Sequence, residues 1–212
     1  EQVAESTDSD LDDVIFSSGA TEGAKLLLKT NDLSCSGIEH SCVLSWAKAR
    51  IPVKTDGLVE LTEPKNATLQ MANSETGIIQ ENLHGVFMSD VAQAVGKIPF
   101  SFKKLGTNSA IFSAHKFGGP KGVGAILLKS KSSIEPELVT GGQERGYRAG
   151  TENLIGVAGL GAAIKFAKKQ IDDGVWEKVR SLRDYLEDEV ANTCNSTIDP
   201  FNFAFYSLKS IS

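Results

Sequence analysis

Short apolar runs punctuate the chain, and their polar residues gather at the C-terminal ends: "DDVIFSSG", "NATLQMANSETG", "GVFMSD" and "SAIFSAHK". Unbroken runs of this length, bounded by turn residues, suit strands buried on both faces. Chemistry-bearing residues collected at strand ends suit an open α/β sheet that binds its ligand at the carboxyl edge. A fifth run, "GVGAILLKS", follows the fourth after only the "FGGPKG" bend. That link is too short for a crossover, so the fifth strand is expected to run antiparallel to the fourth. "GATEGAKLLLK" reads as a helix leaving the first strand. The expected fold is α/β, with a mostly parallel central sheet, one antiparallel strand and flanking helices.

The texture changes at Thr151. "TENLIGVAGLGAAIKFAKKQ" reads as a closely packed, buried helix. "DDG" marks a joint, and "VWEKVRSLRDYLEDEV" places Val175, Val179, Leu182, Leu186 and Val190 on one helical face. "NSTIDPFNFAFYSLKSIS" reads as the start of another small sheet. The net charge of −5 over 212 residues argues against a general nucleic-acid binder. Three cysteines, Cys35, Cys42 and Cys194, form no disulfide framework and fit a reducing, cytoplasmic setting. No apolar run approaches the roughly 18 residues of a membrane span, so no membrane partner is expected. The acidic start is no signal peptide, and it reads like the middle of a protein.

Lys116 stands at the end of the fourth run, after His115 and before two glycines and a proline. A partly desolvated lysine there becomes a nucleophile able to form a Schiff base; the plain alternative is a surface lysine in a turn. Asp90 ends the preceding run, so in a parallel sheet it leaves at the same edge. A carboxylate in that place can hold a protonated pyridine nitrogen, or merely cap a turn. "SSGATEG", from Ser17 to Gly23, can aim backbone N–H groups at a phosphate or simply cap its own helix. Ser113 and His115 can add donors to that anion. His40, just before a short helical pattern, is either structural or a ring-stacking proton shuttle. "GGPKGVG" lacks the order of a P-loop, "GVAGLGAA" lies inside a helical pattern, and no Cys/His cluster has zinc-ligand spacing.

Six blocks in order, "FSSGATEG", "IEHSCVL", "MANSETGIIQ", "SDVAQAVGKIPF", "SAHKFGGPKGVGAILL" and "GGQERGYRAGTEN", resemble those of cysteine desulfurases. These are pyridoxal-phosphate enzymes of the aspartate-aminotransferase fold type in the class V aminotransferase group. The resemblance covers about Val14 to Lys169. It implies a large cofactor-binding domain over residues 1–169, with its N-terminal segment missing, and the start of a small α+β domain over 170–212. It implies that Lys116 would hold pyridoxal 5′-phosphate covalently and later take the α-proton of L-cysteine. Asp90 would pair with the pyridine nitrogen, Gln93 would hydrogen-bond the ring oxygen, and His40 would stack on the ring. Thr21, Ser113 and His115 would bind the phosphate, and Thr151 would reach the phosphate of the partner in a homodimer. Asn73 and Ser74 would lie near ring and substrate, with Ser74 standing where the family often has asparagine.

The products implied are alanine and an enzyme persulfide, passed to a sulfur-acceptor or scaffold protein in iron–sulfur cluster assembly or another sulfur-transfer route. The family's sulfur-accepting cysteine lies further downstream and has no counterpart here, so the chain reads as cut at both ends. Cys42, two residues from His40, reads as a small helix residue. An aminotransferase, a selenocysteine or other amino-acid lyase, and a non-catalytic scaffold of the same fold are the competing readings.

Overall fold

The computed structural model describes residues 1–129 and 141–194. Its central sheet has four strands: β1 (Val14–Ser17), β4 (Met88–Asp90), β5 (Ser109–Ser113) and β6 (Gly124–Leu128), in the order β1-β6-β5-β4. β4 and β5 are parallel, and β6 lies antiparallel between β5 and β1. Three strands thus share one direction and β6 opposes them, as the short "FGGPKG" link requires. The bend turns on Gly118, which caps the 3-10 turn Ala114–Phe117 in the left-handed region at φ 88°.

Every residue of β5 and β6 is buried. Successive side chains go to opposite faces. Ala110, Phe112, Ala125 and Leu127 pack on one face with Val3 and Ala4 of α1 (Gln2–Thr7) and Leu160 and Ile164 of α5 (Leu154–Asp172). Ile111, Ile126 and Leu128 pack on the other with Ala24, Leu27 and Leu28 of α2 (Ala20–Leu28). The result is a three-layer α/β arrangement. α2 lies close on the sheet because Gly23 has no side chain: a Cβ there would come within 2.9 Å of Ile111.

Several elements differ from the sequence reading. The "NATLQ" run is extended but forms only isolated bridges, Ser34 to Ala67 and Thr68 to Met88, both parallel. Its N–H groups alternate sides, Thr68 donating to Ser34 and Leu69 to Met88. It therefore links the central sheet to a second, two-stranded parallel sheet of β2 (Ser34–Ser36) and β3 (Lys48–Ile51), whose strands are too short and too weakly apolar to stand out and escaped the sequence reading. α3 (Ser41–Leu44) is a single turn capped by His40, and α4 (Phe102–Leu105) is another, capped by Ser101. α5 is buried along one face only, through Gly156, Leu160, Gly161, Ile164 and Ala167, while Ile155 is 89% exposed. The apolar stripe of α6 (Val175–Cys194) is exposed at Val175, Val179, Leu182 and Leu186. The small sheet expected from "NSTIDPFNFAFYSLKSIS" lies outside the described residues.

Candidate functional site

Asp90 ends β4 and Ser113 ends β5, so both chains leave the sheet at one edge. β1 ends at Ser17 on the same edge and turns into α2. β6 enters there at Gly124, paired with Ser17 on one side and Ser113 on the other. A side chain at 124 is impossible without movement, because a Cβ would lie 2.4 Å from the Phe112 carbonyl oxygen and 2.7 Å from Gly19 Cα. The close approach brings the Ser17–Gly23 turn up to the lysine-bearing turn.

These ends wall a cavity of about 320 Å³. Lys116, Asp90, His40 and Gln93 line it, as do Thr21, Ser74, Ser113 and His115. Eight of the ten residues singled out from the sequence therefore meet in one place. Asn73 and Thr151 are not among the lining residues. Asn73 is buried and spent on the loop: its Oδ1 accepts from the N–H groups of Glu75 and Thr76, and its Nδ2 donates to the Ile38 carbonyl. Thr151 is exposed.

Asp90 is buried, and the Ala92 N–H donates to its Oδ1 at 2.9 Å. Burial pushes its carboxyl above the ordinary range, opposed by that N–H and by the charges of His40 and Lys116. Among the described residues no cation contacts it directly, so its charge is stabilised first by the Ala92 N–H and then by His40 and Lys116 at longer range. His40 Nδ1 accepts the Cys42 N–H at 3.2 Å. That contact leaves Nε2 to carry the proton of the neutral ring.

At the turn into α2, the Ala20 N–H donates to Ser113 Oγ at 2.8 Å and the Gly19 N–H to Ser17 Oγ at 3.3 Å. The amides of Thr21 and Glu22 follow in the first helical turn, where no intrahelical carbonyl is available. They and the helix's positive end can cradle an anion at the cavity rim. The His115 imidazole beside it is pushed down by partial burial and by the charges of Lys116 and Lys121.

A strap over residues 141–151 is tied to this cradle. Glu144 accepts the Phe16 N–H at 2.9 Å, and Arg145 donates to the Val14 carbonyl at 2.9 Å. Together they cover backbone groups of edge strand β1. Arg148 pairs with Glu22 at 3.0 Å, and Glu22 also accepts the Ser18 N–H at 2.6 Å. Burial alone would raise the Glu22 carboxyl, but the Ser18 hydrogen bonds and Arg148 together bring it below its ordinary range.

Gln70 on the cavity wall, and Glu39 and Lys97 behind it, were not found from the sequence. Glu39, buried next to His40, accepts the Gln70 N–H at 2.8 Å and, mainly through burial, its carboxyl is pushed up to about 8. Gln70 in turn donates to the Ile38 carbonyl at 2.9 Å, fixing the segment that carries His40. Lys97 donates to Gln93. Lys97 has a sequence signal in retrospect, standing four residues after Gln93; Glu39 and Gln70 meet only through the parallel pairing of β2 with the 67–68 segment. The cavity's thiol is Cys42, buried and pushed up to about 12 by desolvation and by Asp90 and Glu39. Cys35 is likewise pushed up to about 11 by burial.

Comparison with known proteins gives a consistent picture. The family model described as aminotransferase class-V matches residues 1–200. A cysteine desulfurase IscS of Dictyoglomus turgidum is 32% identical over 225 aligned positions, covering 90% of this chain and 57% of the relative. A mitochondrial cysteine desulfurase of Arabidopsis thaliana is 34% identical, covering 90% of this chain and 52% of the relative. The solved NifS-like protein of Rickettsia africae superposes with a TM-score of 0.83 at 30% identity, covering 96% of this chain and 65% of that one. The chain thus spans about half the length of the curated relatives it matches.

Proposed function

The chain belongs to the class-V aminotransferase family, and from that premise we propose that it forms the cofactor-binding part of a pyridoxal-phosphate-dependent cysteine desulfurase. The observation that carries the reading is the pairing of Lys116, after β5, with buried Asp90, at the end of neighbouring β4, across one cavity. The cavity suits the cofactor on its own chemistry. A buried carboxylate without a contacting cation faces it, an amine stands opposite, and a helix N-terminus with two serine hydroxyls closes one end. When bound, pyridoxal phosphate supplies an electron sink for the bonds at the substrate's α-carbon.

The chain's own residues then divide the work. Lys116 Nζ would hold the cofactor covalently and would take the α-proton of the substrate. Asp90 would keep a positive charge on the ring nitrogen, since a buried carboxylate gains most from a cation at contact distance. His40 would lie against the ring, with Nε2 free to move protons. Gln93 would donate to the ring oxygen. Thr21, Ser113 and His115 would hold the phosphate, with Asn73 shaping and Ser74 edging the substrate side. The substrate is L-cysteine: its C–S bond breaks, a thiolate takes the sulfur as a persulfide, a proton replaces it on the β-carbon, and alanine leaves. Cys35 and Cys42 are poor candidates for that thiolate, because both are buried and held protonated.

The same reading extends to the assembly. Residues 1–169 form the cofactor domain and 170–212 begin a second one. The protein works as a cytoplasmic homodimer, with Thr151 on the exposed strap reaching the partner's phosphate. It delivers sulfur to an acceptor or scaffold protein for iron–sulfur clusters. No helix among the described residues is long and apolar enough to cross a membrane.

Borohydride reduction of the protein loaded with pyridoxal phosphate, followed by peptide mapping, is expected to label Lys116. Label on another lysine with Lys116 unmodified would refute the assignment.

A further inference from the structure

Lys97 is half-buried, yet among the described residues it forms no ion pair. Its ammonium is directed instead at a neutral acceptor, Oε1 of Gln93. The backbone dictates the meeting. After Asp90 the chain coils in helix-like turns, with the Val95 N–H on the Val91 carbonyl and the Ile98 N–H on the Ala94 carbonyl. Residues four apart on such a coil share a face. Gln93 is also a wall of the cavity.

An ammonium has three donors and no acceptor, so only the oxygen of an amide can face it. With the oxygen held, the amide's remaining group is its NH2. We propose that Lys97 is a positioning residue that sets the donor sense of Gln93, turning the amide NH2 toward an anionic oxygen of the bound cofactor. This rests on the pyridoxal-phosphate reading of the cavity. Without Lys97 the amide is free to flip, and half of its orientations would present a lone pair to an anion. Burial and the charge of Lys116 push the Lys97 ammonium down to about 8. A group that costs this much to keep charged, while serving one neutral acceptor, fits a role in orientation better than one in stability.

Two measurements test the idea. The first uses cofactor-free protein and follows the Gln93 side-chain amide by NMR from about pH 6 to 10. Lys116 faces Lys97, and Asp90 and His115 share the cavity with Gln93, so Lys97→Met is the control. The Gln93 signals should titrate in the parent and lose that step in Lys97→Met; a titration that persists in the variant would overturn the contact. The second measures the Kd for pyridoxal phosphate across a double-mutant cycle. Gln93→Ala and Lys97→Met should each weaken binding by roughly threefold to tenfold, the worth of one hydrogen bond. The double variant should be no weaker than the worse single, and Lys97→Arg should stay within about twofold of the parent. Additive losses, or a Lys97→Met protein that binds like the parent, would overturn the proposal. If no form binds the cofactor, parent included, the cofactor reading fails on its own, and the NMR titration still decides the Lys97 contact.

Discussion

Glu39 and Asp90 are two buried carboxyls in one neighbourhood, and the charge of Asp90 adds to the cost of ionising Glu39. The two differ in what faces them. Asp90 looks into the cavity toward His40 and Lys116. Glu39 looks away from it, with Oε2 and the nearby Ser36 hydroxyl both buried outside good hydrogen-bond geometry. Glu39 is therefore the carboxyl that stays neutral, keeping its proton in the folded chain up to about pH 8 against an ordinary value of 4.5. Between those values the folded state holds more protons than the unfolded one, so Glu39 subtracts stability progressively as pH rises through the window. The whole effect is on the order of a few kcal/mol. Glu39→Gln keeps an uncharged acceptor for the Gln70 N–H and cannot ionise. Melting of both proteins at about pH 5.5 and pH 8 should show the variant gaining on the parent at the higher pH. A gap that does not move with pH would mean that Glu39 is ionised throughout.

At the scale of elements, the edge of the sheet is a meeting of chain ends that one missing side chain allows to come close. Gly124 lies between the Phe112 carbonyl and Gly19 Cα, both backbone, so neither can swing aside. Gly124→Ala should cost about 1–3 kcal/mol, as overpacking does, and should weaken pyridoxal-phosphate binding further by pushing the anion cradle off β6. Gly37→Ala, which meets nothing within 4 Å, is the matched control and should stay within about 0.5 kcal/mol. Denaturant unfolding and a cofactor titration on both variants decide it; equal effects at the two positions would contradict the packing argument. The strands that make this edge were legible from sequence because β5 and β6 are buried on both faces and therefore read as unbroken apolar runs. β2 and β3 were not, since Ser-Cys-Ser and Lys-Ala-Arg-Ile alternate over only three and four residues, too few to stand out, and their place is fixed by pairing partners remote in sequence. The site divides the same way. Asp90, Ser113 and Lys116 sit at ends of strands that could be read, whereas Glu39 meets Gln70 only once β2 lies beside the 67–70 segment.

Across the whole molecule, the two long helices stand in different relations to the core. α5 packs on α1 and on the 3-10 turn that carries Lys116, and α6 leans on α5. Ala167 of α5 and Phe117 of the lysine turn both crowd Gly96, where a Cβ would lie 3.0 and 2.7 Å from them, so α5 is coupled to the site through packing. α6 begins after Gly174, at φ 71°, and leaves Leu182 70% exposed. A helix with few buried apolar contacts opens at lower free energy than one in the core. Hydrogen exchange should therefore show the amides of α6 opening well before those of α5, which should follow the global unfolding of the sheet. Point changes should follow the same division. Leu160→Ala removes a side chain that is 0% exposed beneath the sheet and should cost about 2–5 kcal/mol. Leu182→Gln should stay within about 0.5 kcal/mol. Because α5 backs the lysine turn, Leu160→Ala should also loosen pyridoxal phosphate, and Leu182→Gln should not. Equal protection along both helices, or a Leu182→Gln cost that matches that of Leu160→Ala, would mean that α6 is part of the cooperative core and that its apolar stripe is covered in the folded protein.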